Sequence, residues 1–335
     1  MTRTKRHRRR TYIMRRMIAV VALLGIIILI STLVGFKQEK EPTTRVIATP
    51  TAEPMKQGPT FPEIEIGTWS PNDEMILQDD EISVGALTFV DVSNEQVLID
   101  KNANSRVFPA STTKLMTSLL AYEKAIAENE LDMPVVTIED STLDIPWDSH
   151  IAHLAVGDRL TVRQALYATL LESGNDAANS LAEYTSGTIE AFVQLMNDRA
   201  KAIGLTETHF MNAHGYSDPN HYTTANDMAK IAYVFSTYPE LVEIAGTYEF
   251  KAEFKDLDGN EKRRWWYHLG SSVNERSIHY SQYVTATKTG YTDESGYTMV
   301  FIMQHEGDTY ILVTMQAKSG QTFPTMRLVE EIMFQ

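Results

Sequence analysis

The sequence predicts an α+β layer structure, not a repeated βαβ unit. Three observations carry this reading. Apolar residues alternate with period two from residue 84 and again beyond residue 248, whereas between about 120 and 240 they recur at helical spacing. The dipeptide Asp258-Gly259 separates two alternating runs, which is a hairpin signal. No stretch of the chain repeats another.

The elements follow in order. Residues 1–36 carry eight Lys/Arg and no acid, and residues 17–36 form a run of 20 without charge. About 20 apolar residues at 1.5 Å rise span the hydrocarbon of a bilayer. Basic residues on the N-terminal side place that side in the cytoplasm. No small-x-small cleavage site follows Phe36, so the reading is an uncleaved signal anchor behind a basic tail, 1–16. Residues 37–80 hold six of the twelve prolines and read as an extended extracytoplasmic linker. The folded body is 81–335. It opens with a strand at 84–90, where Val84, Ala86, Thr88 and Val90 alternate, and a turn at Ser93-Asn94-Glu95 leads into a second strand at 96–100. A helix begins near Ser111 with Leu115, Leu119 and Tyr122 on one face. Helical spacing recurs over 161–171, 175–185, 189–203 and 225–235, with Gly187 and Gly204 at helix ends. Strands then cover 248–254, 262–268, 284–288, 297–304 and 309–316, and a last helix covers 325–333.

Composition excludes several classes. The body and linker carry 22 basic against 44 acidic side chains, so the folded part repels phosphate and is no nucleic-acid binder. Cysteine is absent, which removes disulfides, thiol catalysis and cysteine-ligated zinc. Neither H-E-x-x-H nor E-x-x-H occurs, so His150 and His153 read as loop residues and no metal or other cofactor is expected. His214 and His221 read as structural hydrogen-bonding partners.

Three short motifs carry the chemistry. Ser111 and Lys114 stand three apart, a spacing that puts hydroxyl and amine on one helix face. A lysine can take the serine proton only when burial or a nearby cation lowers its pKa, and Lys288 can supply that cation. No other S-x-x-K occurs in the chain. Ser173-Gly174-Asn175 falls in a break between two helices. Ser173 can pass a proton from Lys114 to a leaving amine, and Asn175 can hold an amide by its paired donor and acceptor. Ser272-Val273-Asn274 repeats that pattern outside the helical region. Lys288-Thr289-Gly290 ends a strand, where lysine and hydroxyl suit a carboxylate and glycine lets a substrate backbone lie close. Each motif alone also fits an ordinary helix cap or strand exit; the ordered set is what informs.

These residues carry a resemblance. Residues 108–117 (Phe-Pro-Ala-Ser-Thr-Thr-Lys-Leu-Met-Thr), 171–178 and 287–292 are similar to the three active-site segments of serine D-alanyl-D-alanine carboxypeptidases, the low-molecular-mass penicillin-binding proteins. Residues 196–205 and 208–215 resemble that family too, and the likeness covers about 80–333. It implies a serine β-lactamase/DD-peptidase-like fold, an antiparallel sheet flanked by helices with an inserted, mostly helical subdomain. It implies that Ser111 attacks the penultimate D-alanine carbonyl of a peptidoglycan stem peptide and that water releases the acyl-enzyme. The backbone N–H groups of Ser111 and Tyr291 would form the oxyanion hole. Lys288 and Thr289 would hold the terminal carboxylate, and β-lactams would acylate Ser111. The family often has an arginine for that carboxylate; Gln321 stands there. Many members add a C-terminal β-rich domain and an amphipathic helix. Neither is read here, and the N-terminal span is expected to attach the protein to the bacterial cell membrane.

Two rivals remain. A class A β-lactamase needs an E-x-x-L-N glutamate for deacylation, and no Leu-Asn dipeptide occurs. A non-catalytic wall-binding or regulatory homologue would not need Ser111, Lys114, Ser173 and Lys288 all in place. Trp265-Trp266-Tyr267 reads as strand packing before it reads as a sugar- or partner-facing patch.

Overall fold

The computed structural model describes residues 61–64, 66–71 and 83–334. The basic tail and the apolar run read as an anchor lie outside these residues, as does most of the linker. Among the described residues no helix is long and apolar enough to cross a membrane.

The main sheet joins β1 (Ser70–Pro71), β2 (Ala86–Asp91) and β3 (Gln96–Lys101) to the later strands β8 (Val284–Thr292), β9 (Gly296–His305) and β10 (Asp308–Ala317). Its order is β1-β3-β2-β10-β9-β8. All pairs are antiparallel except β1 with β3. Between the two halves of this sheet the chain inserts helices and a smaller sheet. The helices are α1 (Lys114–Glu128), α2 (Val162–Leu170), α3 (Asn175–Ser186), α4 (Ile189–Ala202), α5 (Ala225–Ser236) and α6 (Pro239–Gly246), and α7 (Thr322–Met333) closes the chain. The smaller sheet runs β4 (Val136–Thr137), β5 (Asp158–Leu160), β6 (Glu249–Asp256), β7 (Glu261–Tyr267) in that order. The α+β reading holds: an antiparallel sheet is flanked by helices, with a mostly helical insertion.

Local chemistry fixes three of the helix starts. Thr161 and Gln164 form a capping box that starts α2, and the Thr188 and Thr224 hydroxyls accept from the backbone of α4 and α5. Helix α6 and the short strands β4 and β5 escape sequence reading, because eight, two and three residues are too few to show a period. The central strands are buried on both faces. Ala86 and Val90 of β2 join the core beneath the helices, whereas Leu87 and Phe89 face the opposite layer with Met326 and Val329 of α7. Period two thus survives in β2 as a division between two cores.

One expectation is corrected. Residues 61–71 were assigned to the extended linker, yet Phe61, Ile64, Ile66 and Trp69 pack against the main core. Arg199 Nη1 donates to Pro62 O at 2.8 Å, and Trp69 meets the Tyr233 ring edge-on. The proline content suggested a tether, but four large apolar side chains in nine residues gain more by burial than by solvation.

Candidate active site

The nucleophile candidate lies in a 3₁₀ turn, Ala110–Thr113, that runs straight into α1. The expected α-helix therefore starts three residues later than read from sequence. The tighter turn suits the chemistry, because side chains at i and i+3 of a 3₁₀ helix eclipse. Lys114 Nζ lies 2.9 Å from Ser111 Oγ. The turn is entered through Ala110 at φ +46°, a left-handed conformation that alanine adopts only under strain.

Lys114 is fully buried and has two further neutral partners, Asn175 Oδ1 and the His214 carbonyl, each at 2.8 Å. Burial pushes its pKa well below the usual lysine value, the Lys288 charge pushes the same way, and Asp176 opposes them. A neutral amine has two N–H bonds and one lone pair. The N–H bonds fit Asn175 and His214, which leaves the lone pair facing the Ser111 hydroxyl. That is the arrangement of a general base.

The second motif sits at the N-terminus of α3, as its glycine suggested. Ser173, at φ +58°, is buried, and its Oγ accepts from Lys288 Nζ at 2.9 Å. Lys288 also donates to Thr289 O at 2.9 Å. Burial brings the Lys288 pKa down to about 7. Asn175 Oδ1 already accepts from Lys114, and its Nδ2 donor has no partner among the described residues.

The third motif lies on β8, which pairs with β9 alone and so presents a free edge. At Gly290, an added Cβ would stand 2.4 Å from Thr298 Oγ1 and 2.9 Å from Ser111 N. No side chain fits there, and the strand edge passes directly beside the nucleophile's backbone amide. An open cleft of about 670 Å³ runs along this edge, lined by Ser111, Ser173, Asn175, Thr289, Gly290 and Tyr291 among others. Lys288 does not line it. With 1% exposure its ammonium points to Ser173 behind the wall, so a direct contact with a carboxylate is not what the geometry offers. No arginine or lysine lines the cleft, and Asp148, Asp293 and Glu294 do. Gln321 stands just before α7 without a side-chain cap bond, and its neighbours Thr322 and Phe323 line the cleft.

Several residues at the site escaped the sequence. His214, read as structural, lines the cleft. Asp176 is buried and accepts from the backbone of Ala152 and Ala177 through Oδ1 (2.8 and 2.9 Å) and of Leu154 through Oδ2 (3.1 Å). It thereby ties the segment after the cleft-lining Ser149 and His150 to the start of α3. His268 hydrogen-bonds through Nε2 to Thr287 O at 3.1 Å and through Nδ1 from Gly270 N at 2.8 Å, bracing β8 next to Lys288. Burial drives its pKa to about 3, so it stays neutral beside that lysine. An acid in the first turn of a helix was visible; its loop partner was not. Ser272 of the rival S-x-N is buried in a 3₁₀ turn, Ser271–Val273, away from the cleft lining. Trp266 is buried and donates to Ala152 O, while Trp265 and Tyr267 alternate outward, as a half-packed strand requires.

This chain is similar to known proteins. The D-alanyl-D-alanine carboxypeptidase DacF of Bacillus subtilis (strain 168) is 35% identical over 212 residues, covering 61% of this chain and 50% of the relative. The carboxypeptidase DacC of Escherichia coli (strain K12) is 30% identical over 257 residues, 74% of this chain and 60% of the relative. The chain thus spans between half and two thirds of these relatives' length. The crystal structure of the Streptomyces K15 DD-transpeptidase matches with a TM-score of 0.66 at 27% identity, covering 75% of this chain and 96% of that one. The D-alanyl-D-alanine carboxypeptidase DacD of Francisella tularensis, at 22% identity and a TM-score of 0.65 over 82% of this chain and 73% of its own, shares the fold. Residues 73–319 match the peptidase S11 family, described as D-alanyl-D-alanine carboxypeptidase, and the chain belongs to that family.

Proposed function

We propose that the protein is a serine D-alanyl-D-alanine carboxypeptidase that removes the terminal D-alanine from peptidoglycan stem peptides. The observation that carries this is Lys114, buried without a carboxylate partner and 2.9 Å from Ser111 Oγ. Ser111 Oγ attacks the penultimate D-alanine carbonyl while Lys114 Nζ takes its proton. The oxyanion settles against the backbone N–H groups of Ser111 and Tyr291, a role that the passage of Gly290 beside Ser111 N supports. The departing D-alanine amine receives a proton through Ser173, whose hydroxyl Lys288 polarises. Water then repeats the sequence on the acyl-enzyme. Thr289 and the Asn175 amide hold the peptide from the strand edge and from α3. Lys288 acts on this bound group as a charge behind the wall. β-Lactams are expected to acylate Ser111 in place of the peptide.

The uncharged run 17–36 behind eight basic residues supports attachment by a single N-terminal span, with the catalytic body outside the cytoplasm. The test is covalent labelling of the purified full chain with a fluorescent penicillin, with D-alanine release from a stem peptide measured in parallel. Wild-type protein is expected to label and to release D-alanine, and Ser111→Ala to do neither. Folded wild-type protein that neither labels nor releases D-alanine rules the enzyme reading out and leaves a wall-binding homologue.

A further inference from the structure

We propose that the His214 imidazole is a substrate-binding group whose Nε2–H donates to an amide or carboxylate oxygen of the peptide lying against Ser111. The identity of that peptide rests on the carboxypeptidase reading; the placement of the donor does not.

His214 is only 7% exposed, yet it lines the cleft together with Ser111, Asn175 and Thr289. Its backbone and its ring are committed to different tasks. The carbonyl accepts from Lys114 Nζ. In the ring, Nδ1 accepts from the Tyr216 backbone N–H at 3.2 Å. That bond fixes the tautomer, because a nitrogen that accepts carries the lone pair and the proton must sit on Nε2. No described residue bonds to Nε2, and the atom is not sealed from solvent. A donor this deep in a protein is normally paired. One left open toward a cleft beside a nucleophile marks the place of a ligand acceptor.

The segment that carries it is built rigidly against the nucleophile. Gly215 has φ +88°, and an added Cβ there would lie 1.8 Å from Ala110 O. Asn212 Oδ1 accepts from Gly215 N at 2.7 Å, and Asn212 Nδ2 donates to Tyr216 O at 2.9 Å. The imidazole thus holds a set distance from Ser111 in place of swinging on a loose loop.

Charge explains why a histidine serves. Burial, then Lys114 and His221, hold its pKa down to about 3, so the ring stays neutral over the working range. A cation at this point would stand beside Lys114. A neutral N–H supplies a hydrogen bond without adding that charge. With no arginine or lysine on the cleft surface, the ligand's oxygens meet only neutral donors, and His214 is one of them.

Two substitutions separate this role from a structural one. His214→Asn keeps an acceptor near the Nδ1 position for the Tyr216 N–H and removes the Nε2 donor. His214→Gln restores a donor near the Nε2 position and weakens the inner acceptor. Binding of a blocked tripeptide ending in D-Ala-D-Ala is measured by calorimetry on the full chain carrying Ser111→Ala, and D-alanine release on the chain with Ser111 intact. His214→Asn is expected to weaken peptide binding about tenfold and to raise KM more than it lowers kcat. His214→Gln is expected to recover most of the loss. The proposal is overturned if His214→Asn binds like its parent, if His214→Gln loses as much as His214→Asn, or if the parent binds no peptide at all. Peptide binding that depends on His214 in a protein that releases no D-alanine would sustain this inference and end the carboxypeptidase reading. D-alanine release untouched by His214→Asn would do the reverse.

Discussion

Arg199 and Lys114 are both almost completely buried, but Arg199 faces a carboxylate and Lys114 does not. Arg199 Nη2 meets Glu123 Oε1 at 2.7 Å, and Tyr238 donates to the same oxygen at 2.9 Å. Lys114 finds only a hydroxyl, an amide oxygen and a backbone carbonyl. A guanidinium does not deprotonate in proteins, so the Arg199 pair is a fixed strut that also holds Pro62. The lysine is left where its proton is weakly held. A buried cation with a partner maintains structure; one deprived of a partner becomes a base.

Replacing each cation by methionine tests this contrast. Lys114→Met is expected to lower D-alanine release by about 10²–10⁴-fold, the range of a lost general base, with a smaller loss of stability than Arg199→Met because the release of a desolvated amine offsets its lost hydrogen bonds. Arg199→Met leaves Glu123 buried and unpaired, where burial already raises its pKa. The expected cost is about 3–5 kcal/mol of stability, with turnover per folded molecule unchanged at low temperature. Denaturant unfolding and titrated active-site labelling measure the two effects separately. A larger loss of stability with Lys114 and a loss of activity with Arg199 would invert the comparison.

The same contrast marks what could be read from sequence. Periodicity found the long helices and the antiparallel strands, because each buries a face that repeats over two turns or more. The three motifs named Ser111, Lys114, Ser173, Asn175, Lys288, Thr289 and Gly290, and the resemblance added Tyr291; the cleft gathers all of these except Lys114 and Lys288, which lie buried behind it. Legibility ended where a role depends on a tertiary partner. Lys288 was expected to hold a carboxylate and instead turns inward to Ser173. His214 was expected to be a structural hydrogen-bonding partner, which its Nδ1 is to the Tyr216 amide, but no spacing shows that its ring also lines the cleft. Asp176 bonds to the loop at Ala152 and Leu154 and His268 to Thr287 of strand β8, and no spacing rule marks such pairs. Residues 61–71 show the opposite error, in which composition spoke for a tether and four apolar side chains decided otherwise.

Lys288 sharpens the comparison through pH. Its folded pKa is about 7 against an ordinary lysine value near 10.5. Between those values the unfolded chain holds a proton that the folded chain has released, so this group makes stability rise with pH. If the charge on Lys288 polarises Ser173, activity falls over the same window, by about tenfold per unit well above pH 7. Stability and turnover should therefore move in opposite directions from pH 7 to 9. Lys288→Arg keeps the charge and is expected to remove the falling limb of the kcat/KM profile. A profile that still falls through pH 7 in that variant would assign the limb to another group.

Asp176 tests the smallest term in the balance around Lys114. Its negative charge is the one influence named here that raises the Lys114 pKa against burial and Lys288, with His214 and His221 neutral nearby. Asp176→Asn removes that charge and turns an N–H donor toward the Leu154 amide that Asp176 Oδ2 now accepts. Each lost hydrogen bond costs about 1 kcal/mol, so a modest fall in stability is expected. The more telling result is the rising limb of the pH profile. A base must be unprotonated to act, and removal of the carboxylate lets Lys114 lose its proton more readily. The limb should move to lower pH by less than about one unit. A loss of stability with the limb unmoved would mean that Asp176 only fastens the loop after His150. A shifted limb would show that the base is tuned by the acid that follows the Ser173-Gly174-Asn175 motif.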